Sequence, residues 1–178
     1  MLFKIKLQTV KINGKIIWIN KKGINMIKVL FVCYGNICRS PMAEFVFKNI
    51  VKKQGLENEF YIESAATSYE EIGNGMHYGT IDKLTEKNIS FGDKRARRIE
   101  QKDYDKFDYI LGMGTSNIKD IERILGQDSQ EKIYRLLEFS KNPRDIADPW
   151  YTGNFTKTYD DILEGCNYFL EYLKKGKM

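Results

Sequence analysis

The chain has 178 residues, of which 42% are hydrophobic and 30% are charged, a composition typical of one globular domain with an ordinary core. Its formal net charge is +5. Residues 1–25 carry six lysines and no acidic residue, which leaves 23 basic against 24 acidic residues from Met26 onward. The basic charge therefore belongs to the first segment, and no nucleic-acid partner is expected. No apolar run approaches the about 20 residues of a membrane-spanning helix, so no membrane contact is expected either.

The chain has three cysteines, Cys33, Cys38 and Cys166. An odd number of cysteines argues against a framework of disulfides. The sequence also starts without the apolar run and small-residue cleavage site of a secretory signal peptide. These two observations predict a cytoplasmic protein.

Residues 1–25 are rich in Lys, Ile and Asn and allow two interpretations. The run from Gln8 to Ile19 contains Asn13-Gly14 between apolar flanks, a pattern typical of a β-hairpin. Alternatively, the segment is an N-terminal extension with little order, because a domain begins cleanly at Met26 and a lone hairpin is only marginally stable. We therefore expect an extension over residues 1–25 and one domain over residues 26–178.

From Met26 the pattern alternates between short β-branched runs and helical segments. The expected strands cover residues 27–32, 60–62, 107–111 and 132–137. The expected helices cover residues 41–54, 80–87 and 116–125, followed by a long C-terminal helix whose apolar face contains Tyr159, Ile162, Leu163, Cys166, Leu170 and Leu173. Strands separated by helices predict parallel βαβ units, and hence an α/β fold of the three-layer α/β/α sandwich type.

The segment from Cys33 to Pro41 carries the chemistry, because it lies where the first strand turns into a helix. A helix N-terminus at the carboxyl end of a strand offers free N–H groups and a positive dipole end, which suit a phosphate. The same groups favour a thiolate at Cys33. Arg39 ends the loop with a planar fork that can bind two phosphoryl oxygens. Gly35 is expected to supply the positive φ of an anion-binding nest.

The spacing of this segment is C-x5-R-S, and Ser40 can donate its hydroxyl to the sulfur. The segment is not a nucleotide P-loop, because no G-K-[ST] follows. The bare pattern also occurs by chance, with a buried cysteine at a strand end and a surface arginine. Its position between a strand and a helix favours a phosphate-binding loop.

The stretch from Val29 to Glu44 resembles the signature of low-molecular-weight protein tyrosine phosphatases, including Asn36 and the adjacent Cys38-Arg39. Similar blocks follow in register at residues 64–68, 73–74, 96–99, 107–111 and 148–151. The resemblance implies a flavodoxin-like, four-stranded parallel sheet with helices on both faces. It implies hydrolysis of protein phosphotyrosine and small aryl phosphates through a cysteinyl-phosphate, with inorganic phosphate as product. No cofactor or metal is expected, because thiolate, arginine and acid suffice.

The resemblance also assigns residues to the site. Asp148, in Asp-Pro-Trp-Tyr, would be the general acid, with Asp145 as the nearest alternative carboxylate. Without Cys33, Asp148 would read as a turn-forming Asp-Pro. Trp150 and Tyr151 would flank the substrate's ring, although such an aromatic pair, taken alone, is more often part of a core. Ser64 would support the loop, and the phosphate would be bound by the loop residues Tyr34, Gly35, Asn36, Ile37, Cys38 and Ser40.

Some residues depart from the family pattern or allow two interpretations. Gly114 stands where many members have Asp, Lys94 where a loop-supporting His is found, and Glu70 where eukaryotic members often carry an aromatic residue. Cys38 is either a redox partner that forms a reversible disulfide with Cys33, as in the family, or a packing residue. Cys166 is expected in the core, and His77, the only histidine, is expected to be a loop residue.

Three other functions compete with the phosphotyrosine hypothesis. Arsenate reduction uses a similar loop but needs further cysteines, and Cys166 is the only spare. Phosphoarginine hydrolysis is disfavoured because related arginine phosphatases carry Thr where this loop has Ile37. A non-catalytic phosphate-binding module would be expected to lose the thiol or the acid. The chain is expected to be a monomer or a weak dimer.

Overall fold

A computed structural model describes residues 8–12, 15–20, 23–24 and 26–175. Near the N-terminus, strands β1 (Gln8–Ile12), β2 (Lys15–Asn20) and β3 (Gly23–Ile24) form an antiparallel sheet. Gln8 pairs with Ile19 and Ile12 with Lys15. These are the two strands of the expected hairpin, whereas its Asn13-Gly14 turn lies outside the described residues. The division into an extension and a domain stays a prediction.

Deleting residues 1–25 is expected to leave turnover of an aryl phosphate unchanged within about twofold, because every expected catalytic residue follows Met26 and changes outside a site usually have small effects. The check is a comparison of kcat and KM for the full chain and the shortened one. A large loss would show that the segment packs on the catalytic domain.

The main sheet has four parallel strands in the order β5-β4-β6-β7. These strands are β4 (Ile27–Cys33), β5 (Phe60–Ala66), β6 (Tyr109–Gly112) and β7 (Ile133–Arg135). Cys33 pairs with Ala66 at the carboxyl end of central strand β4. Ligands of parallel sheets bind at this edge, so the register places the thiol where the sequence predicted it.

Six helices accompany this sheet in the described residues: α1 (Arg39–Lys53), α2 (Tyr78–Glu86), α3 (Gln101–Lys106), α4 (Thr115–Leu125), α5 (Pro149–Thr152) and α6 (Phe155–Lys175). The side chains of Val29 and Phe31 pack with α1 and α6 on one face, and Leu30 and Val32 pack with α3 and α4 on the other. Successive residues of a strand point to opposite faces, so β4 is buried on both. The predicted three-layer α/β/α sandwich is confirmed. None of the described helices is long and apolar enough to cross a membrane.

The fourth strand is shorter than predicted. It ends at Arg135, and a 3₁₀ helix (Leu136–Phe139) follows. Leu136 and Leu137 are both fully buried in the cluster that contains α6. Consecutive strand residues face opposite sides of a sheet, so burying both leucines on one side requires a helical turn.

The third strand also differs, because it begins at Tyr109 and not at Phe107. Phe107 is instead the C-cap of α3, a six-residue helix that the sequence analysis missed. Its start is fixed by a reciprocal capping box between Glu100 and Asp103, a signal that could have been found. The four-residue α5 was missed as well. Too short for a periodic pattern, α5 is signalled by Asp148 before Pro149, a typical helix start.

Candidate active site

The sulfur of Cys33 lies at the start of a tight loop between β4 and α1, and the residue is 3% exposed. The backbone N–H of Asn36 donates to Sγ at 3.3 Å. The hydroxyl of Ser40 lies 3.1 Å from the same atom. Both groups are placed to stabilise negative charge on the sulfur.

Asn36 fixes the shape of this loop. Its φ of 58° is in the left-handed region, which costs energy for a residue other than glycine. Its amide Nδ2 donates to the hydroxyls of Ser40 and Ser64, each at 2.8 Å, and its Oδ1 accepts from the backbone of Arg97 at 3.2 Å. Because the residue is 1% exposed, these bonds replace water and hold the strained conformation.

The expectation that Gly35 supplies the positive φ of the loop was wrong. The residue with positive φ is Asn36, and Gly35 is not among the glycines that adopt it. A Cβ built at Gly35 would lie 3.1 Å from Cγ of Glu71. The glycine therefore allows the loop after β5, which carries Glu71, to approach the backbone of Gly35 closely.

Arg39 is the first residue of α1 and is 8% exposed. Its guanidinium donates to the carbonyl of Ile146 at 3.3 Å through Nη1. Its Nη2 forms an ion pair with Oδ2 of Asp148. Asp148 also caps α5, since its Oδ1 accepts from the backbone N–H of Trp150 at 3.1 Å. The structure therefore brings Asp148 to the arginine of the loop.

The alternative carboxylate, Asp145, has other partners. It accepts from the backbone N–H and the hydroxyl of Thr115, both at 3.0 Å, and from Arg135 at 3.0 Å. Burial opposes its charge, but these hydrogen bonds win and lower the pKa of Asp145. A Cβ at Gly114 would lie 3.0 Å from Cγ of Asp145. The glycine thus leaves room for Asp145 to cap α4, which explains that departure.

Aromatic side chains surround the loop. Trp150 is 60% and Tyr151 85% exposed. Tyr34 is half-exposed, and its hydroxyl donates to Glu70 at 2.8 Å, which raises the pKa of Tyr34. Glu70 therefore holds the side chain that follows the nucleophile candidate. The ring of Trp150 lies 5.8 Å from the ring of His77, edge to face.

His77 is more than a loop residue, since it is the N-cap of α2. Its Nδ1 accepts from the backbone N–H of Gly79 at 3.1 Å. The backbone N–H of His77 donates to the carbonyl of Ile37 in the loop at 2.9 Å. The ring of His77 stacks on Phe155, with the ring centres 5.2 Å apart. His77 therefore ties α2 and α6 to the phosphate-loop candidate. Histidine is an uncommon N-cap residue, so no local pattern predicted this role.

Behind Asn36 lies a buried ion pair that the sequence analysis missed. Ser64 donates to Oε2 of Glu44 at 2.6 Å, and Glu44 is 4% exposed. Nζ of Lys94 lies 3.3 Å from the same carboxylate oxygen and donates to the carbonyl of Ser64 at 3.0 Å. Burial lowers the pKa of Lys94 even though Glu44 opposes the shift. Lys94 thus supports the loop at the position where the resemblance implied a histidine.

Lys94→Met is expected to cost about 3 kcal/mol of unfolding free energy, because it leaves the buried carboxylate of Glu44 without its inner partner. Lys48→Met is the matched control, since Lys48 contacts the other oxygen of Glu44 with a side chain that is 42% exposed. It should cost less than about 1 kcal/mol. Urea unfolding of both variants measures the difference. Equal losses would show that the inner position of Lys94 has no special value.

Cys38 is a buried free thiol beside the nucleophile candidate. Burial, and next the charge of Cys33, raise the pKa of Cys38 to about 12. The reversible disulfide stays a prediction. Cys166 is fully buried in the core, as expected, and burial raises its pKa as well.

In the Cys33→Ser variant, iodoacetamide at pH 7.5 is expected to leave both remaining thiols unmodified in the folded protein. A pKa raised above the usual value leaves almost no thiolate at this pH, and only the thiolate reacts. Mass spectrometry before and after unfolding in urea checks this. Fast native labelling of Cys38 would contradict it and would strengthen the redox interpretation.

Together these groups can hold a phosphate monoester against a sulfur nucleophile. The loop supplies a backbone donor at Asn36, Arg39 supplies a cationic fork, and the carboxyl group of Asp148 lies against that fork. This arrangement is typical of a cysteine-dependent phosphatase.

Comparison with known proteins gives the family. The model of the low molecular weight phosphotyrosine protein phosphatase family matches residues 28–178. The low molecular weight protein-tyrosine-phosphatase YfkJ of Bacillus subtilis (strain 168) is 42% identical over 154 residues, which cover 85% of this chain and 99% of YfkJ. Its crystal structure matches with a TM-score of 0.81 and covers 85% of this chain and 96% of that one.

Two further relatives are similar over most of their length. PtpA of Staphylococcus aureus (strain MRSA252) is 36% identical over 151 residues, or 84% of this chain and 96% of PtpA. The structure of DARP, a drosophila arginine phosphatase, is 32% identical, with a TM-score of 0.77 and coverage of 83% of this chain and 98% of that one. The chain belongs to the low molecular weight phosphotyrosine protein phosphatase family and is a protein-tyrosine-phosphatase.

Proposed function

We propose that Cys33 is the nucleophile, Arg39 the phosphate-binding cation and Asp148 the general acid and base. The observation that carries the proposal is the contact of Asp148 with Arg39, in a loop whose Asn36 N–H and Ser40 hydroxyl face the Cys33 sulfur. The acid, the cation and the nucleophile of one reaction thus lie at one edge of the sheet.

The reaction then runs in two displacements. The thiolate of Cys33 attacks phosphorus, the bond from phosphorus to the ester oxygen breaks, and Asp148 gives its proton to the leaving oxygen. Water next attacks the cysteinyl-phosphate while Asp148 takes its proton, and the P–S bond breaks to release inorganic phosphate. Ser40 donates to the sulfur as it leaves, which stabilises the returning thiolate.

The loop residues divide the work of binding the phosphoryl oxygens. Backbone N–H groups at the start of α1 supply the donors. They belong to Tyr34, Gly35, Asn36, Ile37 and Cys38. Ser64 acts indirectly, because it holds the amide of Asn36. Arg39 must exchange its bond to Asp148 for bonds to phosphoryl oxygens when substrate binds.

The substrate class we propose is protein phosphotyrosine, with small aryl phosphates as simpler substrates. The exposed rings of Tyr34, Trp150 and Tyr151 offer aromatic faces to a phenyl ring. The similarity to DARP keeps phosphoarginine as a second candidate. The half-buried Ile37 favours the flat apolar ring over the longer, polar guanidinium. Arsenate reduction has no such support, because Cys166, the only spare cysteine, is fully buried in the core.

The testing experiment is hydrolysis of p-nitrophenyl phosphate near pH 5–6, under reducing conditions and with a chelator, followed by phosphotyrosine and phosphoarginine peptides. Activity that persists in chelator and favours phosphotyrosine supports the proposal. Faster hydrolysis of phosphoarginine would reverse the substrate assignment while keeping the chemistry.

We further propose a cytoplasmic location and a monomer or weak dimer. The three cysteines are free thiols, which suits a reducing compartment. Size-exclusion chromatography with light scattering tests the assembly state, and a stable oligomer at micromolar concentration would contradict it.

A further inference from the structure

A groove of about 530 Å³ lies beside the active site, between α2 and the segment that carries Asp148. Its lining includes His77, Tyr78, Trp150 and Phe155. Both walls are bonded to the catalytic centre. The N–H of His77 donates to the carbonyl of Ile37 in the phosphate loop at 2.9 Å, and the N–H of Trp150 donates to the carboxylate of Asp148 at 3.1 Å. A protein whose phosphorylated side chain enters the loop therefore passes this groove.

The groove is aromatic at its base and along its rim. The ring of His77 stacks on Phe155 at 5.2 Å and contacts Tyr78 at 4.3 Å. Tyr78 is 73% exposed and Trp150 60%. Exposed aromatic faces in a concave site attract flat apolar groups and, above all, cations.

One end of the groove carries the carboxylates of Asp82 and Glu86 together with Lys83. Tyr78, Asp82 and Glu86 follow each other at i, i+4 and i+8 on α2, so they share one helix face. Glu86 is paired with Lys83 and Lys87. Asp82 is exposed and has no ion-pair or hydrogen-bond partner within the described part of the chain. The groove thus combines exposed rings with one uncompensated carboxylate.

We propose that this groove binds an arginine or lysine side chain of the substrate protein that lies close to the phosphotyrosine in sequence. The proposal rests on the function proposed above and adds a substrate preference to it. The cation stacks on Tyr78 and Trp150 and pairs with Asp82. Arginine is the better occupant, because its planar guanidinium stacks on a ring and donates to a carboxylate at once. An acidic side chain in the same place meets Asp82 and is disfavoured.

The test uses phosphotyrosine peptides that differ only in whether Arg, Ala or Glu occupies the positions flanking the phosphotyrosine. The wild-type protein should hydrolyse the Arg peptide with a kcat/KM about fivefold above that of the Ala peptide, the size expected of one exposed ion pair with a cation–π contact. The Glu peptide should fall below the Ala peptide. The advantage of Arg should shrink at high salt, because exposed charges are screened.

Asp82→Lys should abolish the preference for the Arg peptide and favour the Glu peptide. Tyr78→Ala should weaken the preference without reversing it. Glu171→Lys is the matched control, with the same charge change on an exposed residue of α6. Glu171 lies near Lys174, which contacts Gln54 at the end of α1 that is far from the loop. The Glu171→Lys variant should therefore show the same preference for the Arg peptide as the wild type.

p-Nitrophenyl phosphate has no flanking residues and serves as the reference for chemistry in every variant. If the wild type hydrolyses it but treats the three peptides alike, the groove does not take a cation and the proposal is overturned. The same holds if Asp82→Lys keeps the wild-type preference. Failure to hydrolyse p-nitrophenyl phosphate at all would instead overturn the proposed function.

Discussion

Replacing Cys33 by serine is expected to lower the turnover of an aryl phosphate by at least about 10⁴-fold, the scale seen when a nucleophile is removed. A serine hydroxyl is not ionised at neutral pH and is a much weaker nucleophile than a cysteine sulfur. The fold should survive, because the Asn36 N–H and the Ser40 hydroxyl can bond an oxygen as they bond the sulfur.

Two measurements together test this prediction. Steady-state hydrolysis in the presence of chelator gives the loss of turnover, and titration calorimetry with inorganic phosphate gives binding. Binding should persist in the variant, since Arg39 and the loop N–H groups are unchanged. Phosphate binding without turnover separates a lost nucleophile from a collapsed loop.

Cys166→Ala is the matched control, because it removes a thiol that is fully buried in the core on α6. Loss of a buried atom should lower the melting temperature by a few degrees, while turnover per folded molecule stays at the wild-type level. Turnover of the Cys33→Ser variant above a few per cent of wild type would mean that another group attacks phosphorus.

The fold could be predicted because its signals are local. The β-branched run before Cys33 and the Pro41 that follows the loop fix a strand, a turn and a helix within a short stretch of chain. The sequence-based predictions fail where tertiary contacts determine the local conformation. Leu136 and Leu137 continue a strand-like pattern, yet their shared burial turns the chain into a 3₁₀ helix.

The support of the loop could not be predicted in the same way. The motif names Asn36, but its left-handed conformation depends on Ser64 and on the backbone of Arg97, which are distant in sequence. The pairing of Glu44 with Lys94 joins two segments fifty residues apart. A charged residue on a helix normally faces solvent, so nothing local marks Glu44 as buried.

The two carboxylates just before α5 illustrate the same limit. Asp145 and Asp148 lie three residues apart, and only the resemblance to a family favoured one of them. In the structure Asp145 is held by Thr115 and Arg135, while Asp148 reaches Arg39. Partners elsewhere in the chain, and not the local sequence, therefore decide which of the two carboxylates reaches the arginine of the loop.

Replacing Asp148 by asparagine is expected to slow hydrolysis of alkyl and poorly activated aryl phosphates by about 10²–10³-fold, the usual contribution of a general acid. With p-nitrophenyl phosphate, the rate of the first step should fall much less, because its leaving group needs little protonation. A series of aryl phosphates with leaving groups of different pKa measures this, since the variant's rate should depend more steeply on that pKa.

The contact with Arg39 adds a second expectation for the same variant. The carboxylate of Asp148 competes with a phosphate for the guanidinium, and it also repels the anion. A neutral amide removes both effects, so inorganic phosphate should bind several-fold more tightly while turnover falls. Tighter binding with slower chemistry would not follow from simple damage to the site.

Asp145→Asn is the control within the same segment. It weakens the bonds to Thr115 and Arg135, so it should lower stability and reduce the rates on good and poor leaving groups by the same factor. Equal losses in the Asp148→Asn variant, with phosphate binding unchanged, would remove the acid assignment. The opposite pattern, a leaving-group-dependent loss with tighter phosphate binding, would show that one carboxylate both supplies the proton and holds the arginine until substrate replaces it.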